Sequence, residues 1–200
     1  YTTCVAVTSG EDTVLMYTVD QCGTSHAINE KIREKATAAT GVPGENIFIG
    51  FTHCHSAPGA SGQYGDEFFA ACGEAAQKAM EDRAPAQLKA TTKQVEGMNF
   101  VRHYKMANGT YAGSNFGSFD GLIEGHAEEK DDQLILVQFD RAEDKKDVVL
   151  VNWQAHPDSA RDIGYTSIAA SWIGPLRDEL EKLSGCQEAY FTGASGNQNN

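Results

Sequence analysis

Short apolar runs suited to strands alternate along this chain with segments whose apolar residues recur at helical spacing. Residues 3–8 and 13–19 carry β-branched and aromatic residues on either side of the turn Ser9-Gly10-Glu11-Asp12, which predicts a hairpin. Over 25–40, Ile28, Ile32, Ala36 and Ala39 share a helical face, and Gly41 with Pro43 ends the run. Asn46 to Phe51 reads as a short buried strand that feeds a Gly-, Ser- and Pro-rich loop, 52–65. Helical spacing resumes over 66–82 through Phe69, Cys72, Ala76 and Met80. A strand over 86–97 precedes an irregular segment, 98–131, with glycine at 109, 113, 117, 121 and 125. Strands over 133–140 and 148–154 flank the charged turn 141–147. The last helix starts at Ser171, read as its N-cap, and reaches Leu183 before Gly185; 188–192 is a final strand.

This order predicts an α/β fold, a mostly buried mixed β-sheet core flanked by helices 25–40, 66–82 and 171–183. The hairpin and the adjacent strands of 133–154 call for antiparallel pairing, which argues against a purely parallel sheet. No repeat, low-complexity tract or linker divides the chain, so 1–200 reads as one domain. Its start inside a strand-like run and its end in the loop 193–200 read as cuts through a longer protein.

Composition narrows the function. Two hundred residues, 40% hydrophobic, suffice to bury a core. A net charge of −12 argues against nucleic acid, whose backbone asks for a basic face. No apolar run approaches the roughly 18–20 residues of a membrane span. No signal peptide is visible, so the compartment stays open. The five cysteines, at 4, 22, 54, 72 and 186, are odd in number and form no CxxC, a pattern of reduced thiols. Neither G-x-G-x-x-G nor a P-loop is present, which speaks against a nucleotide cofactor.

Chemistry-bearing residues follow apolar strands at three places, where α/β folds form ligand sites. The first is Thr52-His53-Cys54-His55-Ser56-Ala57-Pro58-Gly59. In an extended chain His53 and His55 share a side about 6–7 Å apart, with Cys54 turned away. One imidazole can bind zinc while the other assists; the plain alternative is two solvated loop histidines. The second is Asn152-Trp153-Gln154-Ala155-His156-Pro157, where His156 closes a strand and is either a rigidly held ligand or a core histidine. The third is the loop 193–200, whose small residues admit a ligand close to the backbone and whose N–H groups can face an oxyanion. Ser195 is not a nucleophile elbow, because G-x-S-x-G needs glycine where Asn197 stands. Arg102, among apolar and aromatic neighbours, is either a carbonyl clamp or an ion-paired surface group. His26, His103 and His126 read as solvated.

These segments, in this order, resemble the N-terminal catalytic domain of the neutral, non-lysosomal ceramidases. That family carries T-H-[T/C]-H-S-x-P-G, which stands here as Thr52–Gly59, and a strand ending N-[WF]-x-x-H-P, matched by Asn152, Trp153, His156 and Pro157. A third, looser match is Gly196-Asn197-Gln198-Asn199-Asn200. The resemblance implies Zn2+ held by His53 and His156, with His55 contacting the substrate carbonyl or the water on the metal. It implies Arg102 as a substrate-positioning group and Gly196 and Asn197 as substrate-binding positions. The family's serine is replaced here by Asn199 and its preceding acid by Asn197; an amide is neither nucleophile nor general base. The remaining family ligands, a Glu and a Tyr, come from beyond the third motif. The expected activity is therefore zinc-dependent hydrolysis of an amide bond in a small-molecule or lipid substrate. The competing readings are an inactive ceramidase-like binding or scaffold module, favoured by Asn197 and Asn199, and an unrelated α/β enzyme using its histidines as acid/base groups.

Overall fold

A computed structural model describes residues 1–113, 117–142, 144–159 and 167–200. The hairpin is present as β1 (Thr2–Ser9) and β2 (Asp12–Val19), with Ser9 opposite Asp12. Helix α1 (His26–Thr40) stops where the sequence indicates: Gly41 takes the left-handed conformation, φ 76°, and its N–H bonds to the Thr37 carbonyl. The short strand is β3 (Ile47–Phe51), and it pairs with β2 in parallel, Val19 opposite Phe51. Helix α2 (Gly62–Glu81) begins four residues before the expected 66. Its first turn, Gly62-Gln63-Tyr64-Gly65, lacks the apolar period that marks the rest.

The second half opens with β4 (Ala86–Gln94), which ends short of the expected 97. The segment read as irregular contains four short strands: β5 (Phe100–Val101), β6 (His103–Met106), β7 (Tyr111–Gly113) and β8 (Ile123–His126). Each is too short to register as a period-2 pattern, and pairing alone defines them. Residues 114–116 of that segment and 143 of the charged turn lie outside the described residues. Next come β9 (Gln133–Arg141), β10 (Val148–Trp153), α3 (Ile173–Ser184), β11 (Gln187–Thr192) and β12 (Gln198–Asn199). Helix α3 starts after Trp172 rather than Ser171, because Ser171 sits at φ 52° and cannot serve as an extended cap.

The fold is mixed α/β, with the strands divided among sheets. One sheet runs β1-β2-β3, another β11-β10-β9-β4, and two small ones pair β12 with β5 and order β7-β6-β8. Within the four-stranded sheet β10 and β11 are parallel, while β9 is antiparallel to both β10 and β4. One core joins Leu15, Tyr17 and Val19 of β2 to Ile32 and Ala36 of α1 and to Phe68, Phe69, Cys72 and Ala76 of α2. The other packs Val149, Val151 and Trp153 of β10 and Tyr190 of β11 against Ile173. Polar groups tie the two halves. The Thr18 hydroxyl donates to the Tyr190 carbonyl, and Arg177 of α3 lies between Asp20, after β2, and Glu188 of β11. The fold therefore brings the carboxyl ends of two parallel strand pairs, β2/β3 and β10/β11, to the same place. None of the described helices is long and apolar enough to cross a membrane.

Candidate metal and catalytic site

Four loops leave those strand ends, and the three histidines singled out in the sequence meet between them. The rings of His53 and His55 are 5.0 Å apart, those of His53 and His156 4.6 Å, and those of His55 and His156 4.9 Å. The His-x-His segment is not extended, as the sequence reading had it. Strand β3 ends at Phe51, and His53 takes φ 64°, the left-handed region, which swings its ring toward the other two. Cys54 is turned away as expected: it is buried, and its thiol donates to the Ala169 carbonyl at 2.8 Å.

His156 is the fixed member. It is 5% exposed, and its backbone N–H bonds to the Gln198 carbonyl at 2.8 Å. Its Nδ1 lies 3.3 Å from the Ser195 carbonyl and its Nε2 lies 2.9 Å from His55 Nε2. A carbonyl only accepts, so Nδ1 carries the proton and Nε2 presents a lone pair. Burial lowers the His156 pKa below that of a free imidazole; the bond to the Ser195 carbonyl opposes it, and the nearby Arg102, His53 and His55 act with burial. That shift favours the neutral ring, the form a metal requires.

The loop after β11 supplies this support. Gln198 is buried, its Oε1 accepting from the Asn99 side chain at 3.1 Å and the Asp131 N–H at 2.9 Å. Strand β12 pairs with β5, and Asn199 bridges to His156. Arg102 grips the same loop: its Nη2 donates to the Gly196 carbonyl at 2.7 Å, and its backbone N–H donates to the Asn197 carbonyl at 2.9 Å. The Asn197 side chain donates to Glu128 at 3.0 Å, while Oδ1 of Asn199 is buried with no hydrogen-bond partner among the described residues. Gly196 and Asn197 thus spend their carbonyls on Arg102. Ser195 contributes its carbonyl to the site.

One site residue escaped the sequence reading. Cys22, in the loop after β2, places its sulfur 3.9 Å from His53 Nδ1 and 3.8 Å from Nε2. One ligand atom from each of Cys22, His53 and His55 falls within 4.8 Å of the others, a group able to hold a metal ion. The signal lay in strand order: once β2 is parallel to β3, the loop after Val19 must leave beside the loop after Phe51. His126 also differs from expectation, with Nδ1 donating to the Val101 carbonyl at 2.5 Å and its ring 5.0 Å from that of Tyr104.

No family model matches the sequence, and none of the curated proteins does. Solved structures do match. A ceramidase complexed with C2 superposes with a TM-score of 0.65 at 17% identity, covering 96% of this chain and 31% of its own. The neutral ceramidase from Pseudomonas aeruginosa gives a TM-score of 0.64 at 18% identity, covering 96% of this chain and 32% of its own. Nearly the whole chain therefore has a ceramidase-like fold, and it spans about a third of the length of those structures.

Proposed function

We propose that this chain carries the histidine part of the catalytic site of a zinc-dependent hydrolase that cleaves an amide bond in a small-molecule or lipid substrate. The observation that carries this reading is the convergence of His53, His55 and His156, the last neutral and held by the Ser195 carbonyl. The ceramidase-like fold supports the reaction class. The donor set fits the metal, since neutral imidazole is a favoured zinc ligand and His156 already has the carbonyl partner that fixes a ligating ring. His53 and His156 would hold the ion. Zinc bound there supplies Lewis acidity, polarising an amide carbonyl and making water a nucleophile near neutral pH.

The rest of the work falls to the chain itself. His55, exposed at the mouth of the cluster, is the group that moves a proton, taking it and returning it at Nε2 to the departing amine. Arg102 orients the loop of Gly196 and Asn197, and through it the carbonyl that fixes His156. Asn199, standing in the place of the family serine, offers no nucleophile. A hydrolytic route through this site therefore relies on water rather than on a covalent acyl intermediate.

Asn197 and Asn199 favour a second reading, an inactive ceramidase-like binding module. The two are separated by measuring zinc content and amine release from an N-acyl amide, with the full chain beside His53→Ala and His156→Ala. One zinc per chain together with chelator-sensitive amine release, both lost in the two variants, supports the hydrolase. Zinc without turnover supports the module. Turnover that survives a chelator but falls in both variants overturns the zinc reading and favours an α/β enzyme using acid/base histidines.

A further inference from the structure

We infer that Cys22 is a metal ligand of this chain, joining His53, with His55 beside them, in a mixed thiolate–imidazole set that selects a thiophilic divalent cation. The inference rests on the proposal that the histidine cluster takes a metal, and it adds a donor that the ceramidase motifs do not contain.

Three observations carry it. First, the donor atoms of Cys22, His53 and His55 lie within 4.8 Å of one another. Ligand atoms on a tetrahedral zinc with bonds of about 2.0–2.3 Å sit roughly 3.3–3.7 Å apart, so the three need to close by about 1 Å. Second, the thiol is nearly equidistant from the two nitrogens of His53, at 3.8 and 3.9 Å, so a turn of that ring brings either nitrogen to a shared cation. Third, the other cysteines are committed elsewhere or enclosed. Cys54 bonds to the Ala169 carbonyl, Cys72 is fully buried on the core face of α2, Cys4 packs against the same core, and Cys186 is buried behind α3. Cys22 alone among the five is exposed, and it stands beside two imidazoles.

His53 thus belongs to two overlapping groups, one completed by His156 and the other by Cys22, while His55 lies beside both. A thiolate donor favours zinc or cobalt over magnesium or calcium, which take oxygen ligands. Ligation replaces the S–H bond with an S–metal bond and releases the thiol proton to solvent.

The test uses the full chain with Co2+ and Zn2+ alone as probes. Co2+ should give visible d–d absorption together with a near-ultraviolet sulfur-to-cobalt charge-transfer band. In Cys22→Ser the d–d absorption should persist while the charge-transfer band disappears. Zn2+ should slow alkylation of Cys22 by iodoacetamide by about tenfold or more, because a ligated thiolate is no longer free to react. The reading comes from the mass of the Cys22 peptide. Identical cobalt spectra for the chain and Cys22→Ser, with no zinc protection, would overturn the inference and leave the histidine site standing. No cobalt absorption in either protein would overturn both.

Discussion

His55 and His156 face each other Nε2 to Nε2 at 2.9 Å, while the opposite nitrogen of His156 looks at the Ser195 carbonyl. Two imidazole nitrogens that close need one proton between them. Since His156 spends its own on Ser195, His55 donates. The first prediction is that metal-free protein at neutral pH holds His156 as the Nδ1–H tautomer and His55 as the Nε2–H tautomer. Long-range proton–nitrogen correlation spectra distinguish the two forms directly. An Nε2–H signal from His156 would contradict the arrangement.

Arg102→Ala removes the bond from Nη2 to the Gly196 carbonyl and loosens the grip on residues 195–199, leaving the backbone bond to Asn197. A hydrogen bond from a charged donor contributes about 1.5–3 kcal/mol; partial solvation here brings the expected loss of stability to about 1–2 kcal/mol. Amide exchange should quicken in the loop after β11 and at His156, whose N–H bonds to Gln198, while the far core of β2, α1 and α2 keeps its protection. Hydrogen exchange resolved by peptide reads both.

Arg177 lies between Asp20 and Glu188, and the side chains of all three are under 10% exposed. Arg177→Met keeps the volume of the side chain and removes the guanidinium from between the buried Asp20 and Glu188 carboxyls. Breaking a buried pair from one side costs about 3–5 kcal/mol. Because these residues tie α3 and β11 to the end of β2, chemical denaturation should show the loss as a lowered midpoint.

Burial pushes the Glu188 carboxyl up to about 7 from 4.5, with the Arg177 charge opposing only part of the shift. The folded chain holds that proton more tightly than the unfolded chain. The associated stability is complete below about 4.5 and is lost as pH rises through about 7. Glu188→Gln cannot ionise, so its stability relative to the parent should climb between pH 4.5 and 8, by on the order of 1–3 kcal/mol. Parallel denaturation curves at the two pH values measure it; a flat or falling difference would contradict the assignment.

Much of the fold was legible because its main elements carry strong periods and clear stops. Helix α1 ends at Gly41 in the conformation a glycine stop implies, and β9 and β10 lie where apolar runs flank a charged turn. The same holds for the meeting of His53, His55 and His156, since each follows a strand and parallel strands deliver their ends together. What escaped depends on partners rather than on pattern. Strands β5 to β8 are two to four residues long and exist only through pairing. Cys22 carries no motif, and its place becomes visible only once β2 and β3 are aligned. The first turn of α2 offers only the exposed Tyr64, too little to show a helical period.

The left-handed backbone at His53 has a consequence for how this site responds to change. A side chain with a β-carbon held at φ 64° pays roughly 1–2 kcal/mol that glycine would not. His53→Gly should therefore abolish metal affinity and yet leave the chain as stable as its parent, or more so, in thermal unfolding without metal. The residue that serves the chemistry is a poor fit to its own backbone. Removing the imidazole at this position therefore relaxes the backbone instead of straining it.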